Sequence, residues 1–186
     1  LEQIRSVLGA SCVITDQAHR GVMEEIFPAS SILLVEELMI SQEDQSPLAA
    51  IRASMIDTDP LYVNFTSGST GLPKGVLVSH RSVLDFIDVF ADTFSFTSND
   101  RIGNQAPFDF DVSVKDIYGA LKAQATLVII PRRLFSRPKE LLDFLCEHKV
   151  TALIWAVSAL CLISTFHGLD YRTPDTVNKV LFSGEV

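Results

Sequence analysis

Short β-rich runs alternate with stretches of helical hydrophobic period along most of this 186-residue chain. The β-rich runs cover residues 12–15, 32–35, 61–65, 75–78, 126–130, 152–157 and 180–182. Between many of them, apolar residues recur three and four positions apart, as they do on one face of a helix. Strands that alternate with helices predict an α/β fold, in which a largely parallel sheet is layered between helices as α/β/α.

Three of the helices are predicted from their start signals. Ser79 and Ser113 each stand where a hydroxyl can cap a helix, and Pro138 suits a first helical turn. The apolar positions expected to face inward are Val83, Phe86, Ile87 and Phe90 in the first helix, Val114, Ile117, Tyr118 and Leu121 in the second, and Leu141, Leu142 and Leu145 in the third.

Composition argues against several classes of protein. Hydrophobic residues make up 47% and charged residues 20% of the chain, a balance typical of a domain that buries a core. The formal net charge of −8 disfavours nucleic acid as a partner, because binding phosphates needs a surplus of Lys and Arg. The three cysteines form no CxxC pair and are odd in number, which favours buried thiols in a reducing cytoplasm over disulfides or a zinc site.

Two segments need separate interpretation. Residues 150–166 carry no charge and approach the length of a membrane-spanning helix. Their hydroxyl residues and their change of character midway favour a buried strand followed by a core helix, so we expect no association with a membrane. Residues 36–60 are acidic and polar and contain Pro47, which predicts a surface excursion or linker.

A loop rich in glycine and hydroxyl residues separates two of the β-rich runs. Residues 62–76 read Tyr-Val-Asn-Phe-Thr-Ser-Gly-Ser-Thr-Gly-Leu-Pro-Lys-Gly-Val. Glycines let backbone amides turn toward an anion, hydroxyls add donors, and Lys74 adds a compact positive charge, so we predict a phosphate-binding loop. A flexible linker is the alternative, but a linker has no reason to hold a lysine and a proline between two strands. The loop differs from a Walker A motif, because Pro73 and Gly75 flank Lys74 and a strand follows.

Ten contiguous residues of this loop, Thr66-Ser67-Gly68-Ser69-Thr70-Gly71-Leu72-Pro73-Lys74-Gly75, closely resemble the signature of the AMP-binding, adenylate-forming superfamily. The resemblance implies that the loop closes over the β- and γ-phosphates of ATP and that pyrophosphate leaves as a carboxylate attacks the α-phosphorus. Catalysis of that kind rests on positioning and charge stabilisation, usually with Mg²⁺. The resemblance also implies that Lys74 and Thr66 are catalytic, and that the residues in contact with the phosphates are Thr66, Ser67, Gly68, Ser69, Thr70, Gly71 and Lys74.

A second motif narrows the resemblance. Residues 110–113 read Phe-Asp-Val-Ser and resemble the Phe-Asp-x-Ser element of amino-acid adenylation domains, which occur in nonribosomal peptide synthetases and in D-alanine–D-alanyl carrier protein ligases. In that branch the aspartate, here Asp111, holds the α-ammonium of the substrate, and each ion compensates the desolvation of the other. The alternative is that Asp111 or Asp109 only caps the helix that starts near Ser113. We expect Asp109 to be such a cap and Asp111 to bind substrate.

In register with the family, the pocket for the amino-acid side chain would be lined by Asp111, Val112, Lys115, Ile154, Leu181 and Ser183. D-alanine ligases usually carry a cysteine at the position of Ser183 and an uncharged residue at that of Lys115, which weakens the case for D-alanine as substrate. Lys115 could pair with Asp111 one helical turn away, or extend its ammonium to water. Alternatively, Lys115 faces the pocket and selects an acidic or polar amino acid.

The resemblance covers residues 1–186 as part of the large N-terminal domain of an adenylate-forming enzyme, with the phosphate loop and its strands at 61–78 and the acid-pocket half at 107–186. The implied function is ATP-dependent activation of an amino acid and its transfer to the phosphopantetheine thiol of a carrier protein. The family's adenine, ribose and catalytic-lysine elements have no counterpart in this sequence, so we expect the fragment alone to be nearly inactive. The alternatives are an acyl-CoA synthetase-like enzyme for a carboxylate without an amine, and a truncated nucleotide-binding module.

Overall fold

The structure, a computed structural model, describes residues 1–66 and 73–183, and Ser183 by its backbone alone. The chain divides into two compact units, Leu1–His80 and Arg81–Val186. No helix in the described part is both long and apolar enough to cross a membrane.

The first unit contains two small sheets. Its elements are α1 (Glu2–Leu8), β1 (Val13–Thr15), α2 (Arg20–Glu24), β2 (Ile32–Leu34), α3 (Val35–Leu38), α4 (Gln45–Ser54), β3 (Pro60–Thr66) and β4 (Lys74–Ser79). Strand β1 pairs with β2 in parallel, and β3 pairs with β4 in an antiparallel hairpin. Residues 36–60, predicted as a surface excursion or linker, contain helix α4, and nearly all of their side chains are exposed.

The second unit contains a four-stranded parallel sheet. Its elements are α5 (His80–Thr93), β5 (Arg101–Asn104), α6 (Ser113–Ala123), β6 (Thr126–Ile129), α7 (Pro138–Glu147), β7 (Ala152–Ala156), α8 (Val157–Thr165), α9 (Gly168–Tyr171) and β8 (Lys179–Ser183). The strand order is β6-β5-β7-β8, and each neighbouring pair is parallel. The charge-free residues 150–166 form β7 and α8, as predicted from their sequence.

Helices cover both faces of this sheet. On one face, α5 and α6 pack against Ile102, Ala152 and Ile154 of the central strands. On the other, α7 and α8 pack against Leu153 and Trp155. The period-2 alternation along β7 therefore divides its side chains between two cores, and the predicted α/β/α layering is confirmed.

The central strand β5 was not among the predicted strands. Its sequence, Arg-Ile-Gly-Asn, holds one strongly apolar residue and so lacks the run that marks a buried strand. The neighbours explain its glycine: a Cβ on Gly103 would lie 3.0 Å from Cγ1 of Val150 and 3.2 Å from Cδ1 of Ile130. The Trp155 indole N–H also donates a 2.8 Å hydrogen bond to the Gly103 carbonyl. Close packing has replaced side-chain bulk at this position.

The predicted inner face of α6 is wrong in part: Tyr118 packs against the core and Val114 and Ile117 are partly buried, but the fully buried positions are others. The buried residues of the helix are Ser113, Asp116, Gly119 and Ala120, whereas Leu121 is 68% exposed. The buried face of α6 is not tightly packed at Gly119, because a Cβ there would meet its neighbours only at 3.9–4.0 Å. The capping prediction is also wrong, since Ser113 is the first helical residue and the N-cap is Val112, which makes no side-chain capping bond.

The other two helices follow their predictions closely. In α5, Val83, Ile87 and Phe90 are buried as expected, but Phe86 is 42% exposed. In α7, Pro138 occupies the first turn and Leu141, Leu142 and Leu145 are at most 1% exposed. Inward-facing positions were therefore predicted reliably where large apolar residues form the buried stripe of the helix.

Candidate functional site

The β3–β4 hairpin brings together the two described ends of the predicted phosphate loop. Thr66 and Lys74 are cross-strand partners at the end of the hairpin next to the connecting loop, and both side chains are exposed. Ser67, Gly68, Ser69, Thr70 and Gly71, the other predicted phosphate contacts, lie outside the described residues. The hairpin thus presents a hydroxyl and an ammonium side by side, a combination that can bind a phosphate oxygen.

Gly75 follows Lys74, and its lack of a side chain leaves room for the side chains of the facing strand. It pairs with Phe65, and a Cβ at Gly75 would lie 3.0 Å from Cγ1 of Val63 and 3.3 Å from the Phe65 ring. A larger residue would displace one of these side chains. The glycine therefore helps to fix the register in which Thr66 faces Lys74.

A cavity of about 230 Å³ lies within the second unit. Its lining consists of Phe86, Phe90, Phe94, Val112, Lys115, Ile154, Trp155, Leu181 and Phe182. Four residues of the predicted side-chain pocket are in this set: Val112, Lys115, Ile154 and Leu181. The volume is below the roughly 300–1,000 Å³ of typical small-molecule pockets, so it suits one side chain better than a whole nucleotide.

Secondary structure explains why these four residues meet. Ile154 of β7 and Leu181 of β8 are register partners in neighbouring parallel strands, so their side chains share a face of the sheet. Val112 and Lys115 are three residues apart at the start of α6, which places them on one side of the helix. The helix and the strands thus contribute opposite walls of one cavity.

Lys115 is the one charged residue in the described lining of this cavity. Its side chain is half-buried. The ion pairs of this unit join other residues, such as Lys122 with Asp88 and Lys179 with Asp100. Within the described part of the chain neither Asp111 nor Lys115 belongs to an ion pair, so the alternative of a pair between them is not realised.

Asp111 does not belong to the cavity lining that the structure gives. It is exposed and lies in the turn before α6, where its carbonyl accepts a 3.1 Å hydrogen bond from the Val114 amide. The Ser113 hydroxyl closes the same turn by donating to the Phe110 carbonyl at 2.7 Å. Since the N-cap is Val112, the expectation that Asp109 caps this helix is wrong.

Ser183 ends β8, where its backbone pairs with Ala156. The structure describes only the backbone of this residue. The sheet therefore places this predicted pocket residue on the strand that carries Leu181, two positions further along.

Sequence reasoning missed the aromatic wall of the cavity. Phe86 and Phe90 of α5 and Phe94, which directly follows the helix, are spaced four residues apart. The centroids of consecutive rings lie 5.5 Å and 5.0 Å from one another. The i, i+4, i+8 spacing in the sequence was the available signal.

It also missed Asp116, which is fully buried. Burial raises the pKa of its carboxyl to about 7, against the opposing effects of the hydrogen bond from Asn104, of the nearby Gln105 backbone amide and of the charge on Lys115. One oxygen, Oδ2, accepts a 2.7 Å hydrogen bond from Asn104 Nδ2. The other, Oδ1, has no hydrogen-bond partner among the described residues. From the sequence, a carboxylate directly after Lys115 is expected to be solvent-exposed, and no sequence pattern indicated that it is buried.

A second cavity, of about 350 Å³, lies where β5 and β7 end. It is lined by Gln105, Ala106, Pro107, Phe110, Val112, Arg132 and Ala156, and so shares Val112 with the first. The Gln105 side-chain oxygen accepts a 3.1 Å hydrogen bond from the Ala156 amide and joins the two strand ends. Ligands of open parallel sheets commonly bind at the carboxyl ends of the strands, which is where this second cavity lies.

Comparison with known proteins gives consistent results along the whole chain. Residues 1–186 match the family model described as AMP-binding enzyme. The L-proline–L-prolyl-carrier protein ligase of Pseudomonas fluorescens is 34% identical over 185 residues, which is 100% of this chain and 33% of that protein. The D-alanine–D-alanyl carrier protein ligase of Staphylococcus haemolyticus is 31% identical over 153 residues, 82% of this chain and 32% of that protein. The chain thus spans about a third of the length of these relatives.

Solved structures share the fold. McyG A-PCP complexed with phenylalanyl-adenylate superposes with a TM-score of 0.82 at 21% identity, over 98% of this chain and 30% of that one. FmoA3 (S1046A) in its AMPPNP-bound form gives a TM-score of 0.75 at 26% identity, over 99% of this chain and 19% of that one. Similarity of this extent covers both described units.

Proposed function

The chain belongs to the AMP-binding enzyme family, and from that premise we propose that the whole protein activates an amino acid with ATP and transfers it to a carrier protein. The observation that carries the proposal is the cavity in which Val112, Lys115, Ile154 and Leu181 come together. Two relatives named as carrier-protein ligases, at 34% and 31% identity, support the amino-acid branch of the family.

The reaction has two steps. A carboxylate oxygen of the amino acid forms a bond to the α-phosphorus of ATP, the bond between that phosphorus and the β-phosphate oxygen breaks, and pyrophosphate leaves. The sulfur of a phosphopantetheine thiol then attacks the carbonyl carbon of the aminoacyl-adenylate, and AMP leaves as the thiol loses its proton. Both steps develop charge on phosphate oxygens, so fixed donors and cations lower their barriers.

Lys74 and Thr66 take the phosphate role in this proposal. Their exposed, paired positions at the end of the hairpin offer one ammonium and one hydroxyl to the departing pyrophosphate. The donor set suits an anion better than a bare metal, and no group of three or more His, Cys, Asp or Glu in the described residues is placed to hold one. Mg²⁺ would therefore arrive with ATP, held largely by phosphate oxygens and water, and would add charge neutralisation.

Asp111 and Lys115 take the recognition roles. Asp111 directly precedes Val112 of the cavity lining, and we assign to it the α-ammonium of the amino acid. Lys115 contributes the one cation of a lining that is otherwise aromatic and aliphatic. An apolar side chain would leave this cation without a partner, so the preferred substrate carries a carboxylate or amide, as in Asp, Glu and their amides. Ile154, Leu181 and Ser183 complete the proposed pocket.

One observation favours a second candidate, an acyl-CoA synthetase-like enzyme. Asp111 lies outside the cavity lining, and the lining is mostly apolar, as a carboxylate without an amine would require. We place either reaction in the cytoplasm, because the cysteines Cys12, Cys146 and Cys161 are free thiols. The expectation that these thiols are buried is wrong for Cys12 and Cys161, which are exposed.

Pyrophosphate exchange into ATP tests the proposal on the full-length gene product. A panel of amino acids should include at least one that supports exchange, whereas matched fatty acids with coenzyme A should not. Exchange that depends on a fatty acid, with none for any amino acid, would favour the second candidate.

A further inference from the structure

A single side-chain amide joins the end of β5 to α6. Asn104, the last residue of β5, donates from Nδ2 to Oδ2 of Asp116 at 2.7 Å and to the Ala106 carbonyl at 3.0 Å. Both Asn104 and Asp116 are buried, at 6% and 0% exposure. The sheet, the turn after β5 and the helix are therefore fixed to one another at this point.

The link determines how α6 is rotated about its own axis. Successive helical residues are about 100° apart, so a helix held at Asp116 has only one orientation in which Lys115 and Val112 reach the cavity. The segment between the two linked residues carries the Phe110–Ser113 turn. Gln105, next to Asn104, anchors the start of this segment to Ala156 of β7.

Stability alone gives a poor explanation for a carboxyl in this place. Oδ1 of Asp116 has no hydrogen-bond partner among the described residues, and a buried polar atom without a partner costs free energy. The neighbouring buried positions of α6, Gly119 and Ala120, show that small apolar residues pack well on this face. The hydrogen bond to Asn104 therefore fixes the position of α6 more specifically than apolar packing alone would.

We propose that Asp116 is a positioning residue for amino-acid recognition, which holds Val112 and Lys115 in the cavity wall through its hydrogen bond to Asn104. The kinetic consequence rests on the proposed function, but the placement of the segment does not. Two variants separate position from charge. Asp116→Asn keeps an oxygen that accepts from Asn104, whereas Asp116→Ala removes the acceptor.

Asp100→Asn is the matched control. Asp100 is also buried, at 3% exposure, and it precedes β5, so it lies at the opposite end of the strand from Asn104. Its Oδ1 accepts hydrogen bonds from Lys179 Nζ at 2.8 Å and from the Thr151 hydroxyl at 2.9 Å. This variant damages a buried polar network of the same sheet without touching the link to α6.

Hydrogen exchange on the full-length gene product measures the placement directly. Amides of residues 105–115 should exchange about tenfold faster in Asp116→Ala than in wild type, and near the wild-type rate in Asp116→Asn and Asp100→Asn. Unchanged exchange in Asp116→Ala, or equal acceleration in Asp100→Asn, would overturn the proposal. If Asp116→Ala does not fold, the same measurement is made on Asn104→Ala, which removes the hydrogen bond by deleting its donor.

Kinetics measure the consequence for recognition. With the amino acid that best supports pyrophosphate exchange in wild type, Asp116→Ala should raise its KM about tenfold or more and leave the KM for ATP unchanged. A merely structural role would lower kcat through loss of active protein at an unchanged amino-acid KM, and that result would contradict the assignment. Should wild type show no amino-acid-dependent exchange at all, the proposed function fails, whereas hydrogen exchange still decides the positioning role.

Discussion

Ile154 of β7 and Leu181 of β8 are direct register partners, and their side chains form part of one wall of the cavity that Lys115 enters from α6. The strands belong to a parallel sheet covered by helices on both faces, so this wall is a rigid part of the core. On the proposed function, we expect the charge of Lys115 to be the feature of the cavity that discriminates most strongly between substrates.

Replacement of Lys115 by methionine should reverse the substrate preference. The neutral side chain of similar length removes the partner of an acidic or amide substrate and makes the lining wholly apolar. Relative kcat/KM in pyrophosphate exchange should shift from glutamate or glutamine toward methionine or leucine by about tenfold to a hundredfold.

Lys122→Met provides the control for this shift. Lys122 lies on the same helix, but its ammonium pairs with Asp88 at 2.6 Å and it is absent from the cavity lining. Its substitution should leave the preference as in wild type. An apolar preference already present in wild type, and kept by Lys115→Met, would show that Lys115 does not select the substrate.

Lys74→Ala should slow adenylation by about 10²–10³-fold, because it removes one charge-stabilising donor from the departing pyrophosphate. The KM for the amino acid should change little, since the proposed pocket is formed by other residues. Exchange rates at saturating ATP measure the effect. Lys139→Ala, which removes an exposed lysine whose ammonium lies over the Tyr171 ring, should keep the wild-type rate; equal rates in both variants would refute the phosphate role of Lys74.

Asp116 should make stability fall as pH rises. Its pKa is about 7 in the folded protein against an ordinary 3.8, so the folded state holds a proton that the unfolded state releases between about pH 4 and pH 7. Across that window this group lowers the free energy of unfolding by about 1.4 kcal/mol per pH unit. Asp116→Asn has no carboxyl to titrate at this position. The contributions of all other titratable groups cancel when the free energies of unfolding of the two proteins are subtracted.

Denaturant titrations of wild type and Asp116→Asn at several pH values measure this difference. Relative to wild type, the variant should become more stable as pH rises from 4 to 7, and the difference should level off above. A difference that does not vary with pH would mean that Asp116 does not retain its proton on folding.

Gly103→Ala should destabilise the second unit by about 1–3 kcal/mol, because the added methyl overpacks a full core. Its Cβ would lie 3.0 Å from Val150 and 3.3 Å from Leu153. Gly119→Ala is the matched control, since its Cβ would meet neighbours only at 3.9–4.0 Å. Thermal unfolding should show a lower Tm for the first variant and an equal or higher Tm for the second; equal Tm values would mean that the strand has room to relax.

The sequence allowed the fold class to be predicted because most strands of the sheet are apolar on both faces. Strands β6 and β7 have uninterrupted apolar runs, and both were predicted within one residue of their observed ends. Strand β5 was missed because its central place in the sheet depends on a glycine and on contacts with residues about fifty positions away, such as Trp155. The hydrophobic pattern of neighbouring residues does not indicate contacts between residues so far apart in the sequence.

The site was predictable where a motif sits on regular structure. Four of the pocket residues that the family resemblance predicted line one cavity. They lie on two paired strands and at the start of one helix, where residue spacing determines which side chains share a face. Asp111 lies in an irregular turn, and its placement depends on the Ser113–Phe110 hydrogen bond rather than on a period. Asp116 was missed because Gly119 and Ala120 bring that face of α6 against the sheet, whereas a helical stripe predicted from large apolar residues points elsewhere.

Recognition of the substrate amine by Asp111 is the most direct test of amino-acid activation. For the best amino acid and its analogue without the amine, kcat/KM in pyrophosphate exchange should be compared in wild type, Asp111→Ala and the control Asp109→Ala. Wild type and Asp109→Ala should strongly prefer the amino acid. Asp111→Ala should lose at least about 10²-fold in kcat/KM for it at an unchanged KM for ATP, because the substrate ammonium loses a charge-assisted hydrogen bond. An unchanged amino-acid KM in Asp111→Ala, or wild-type activation of the amine-free analogue at an equal rate, would contradict the assignment.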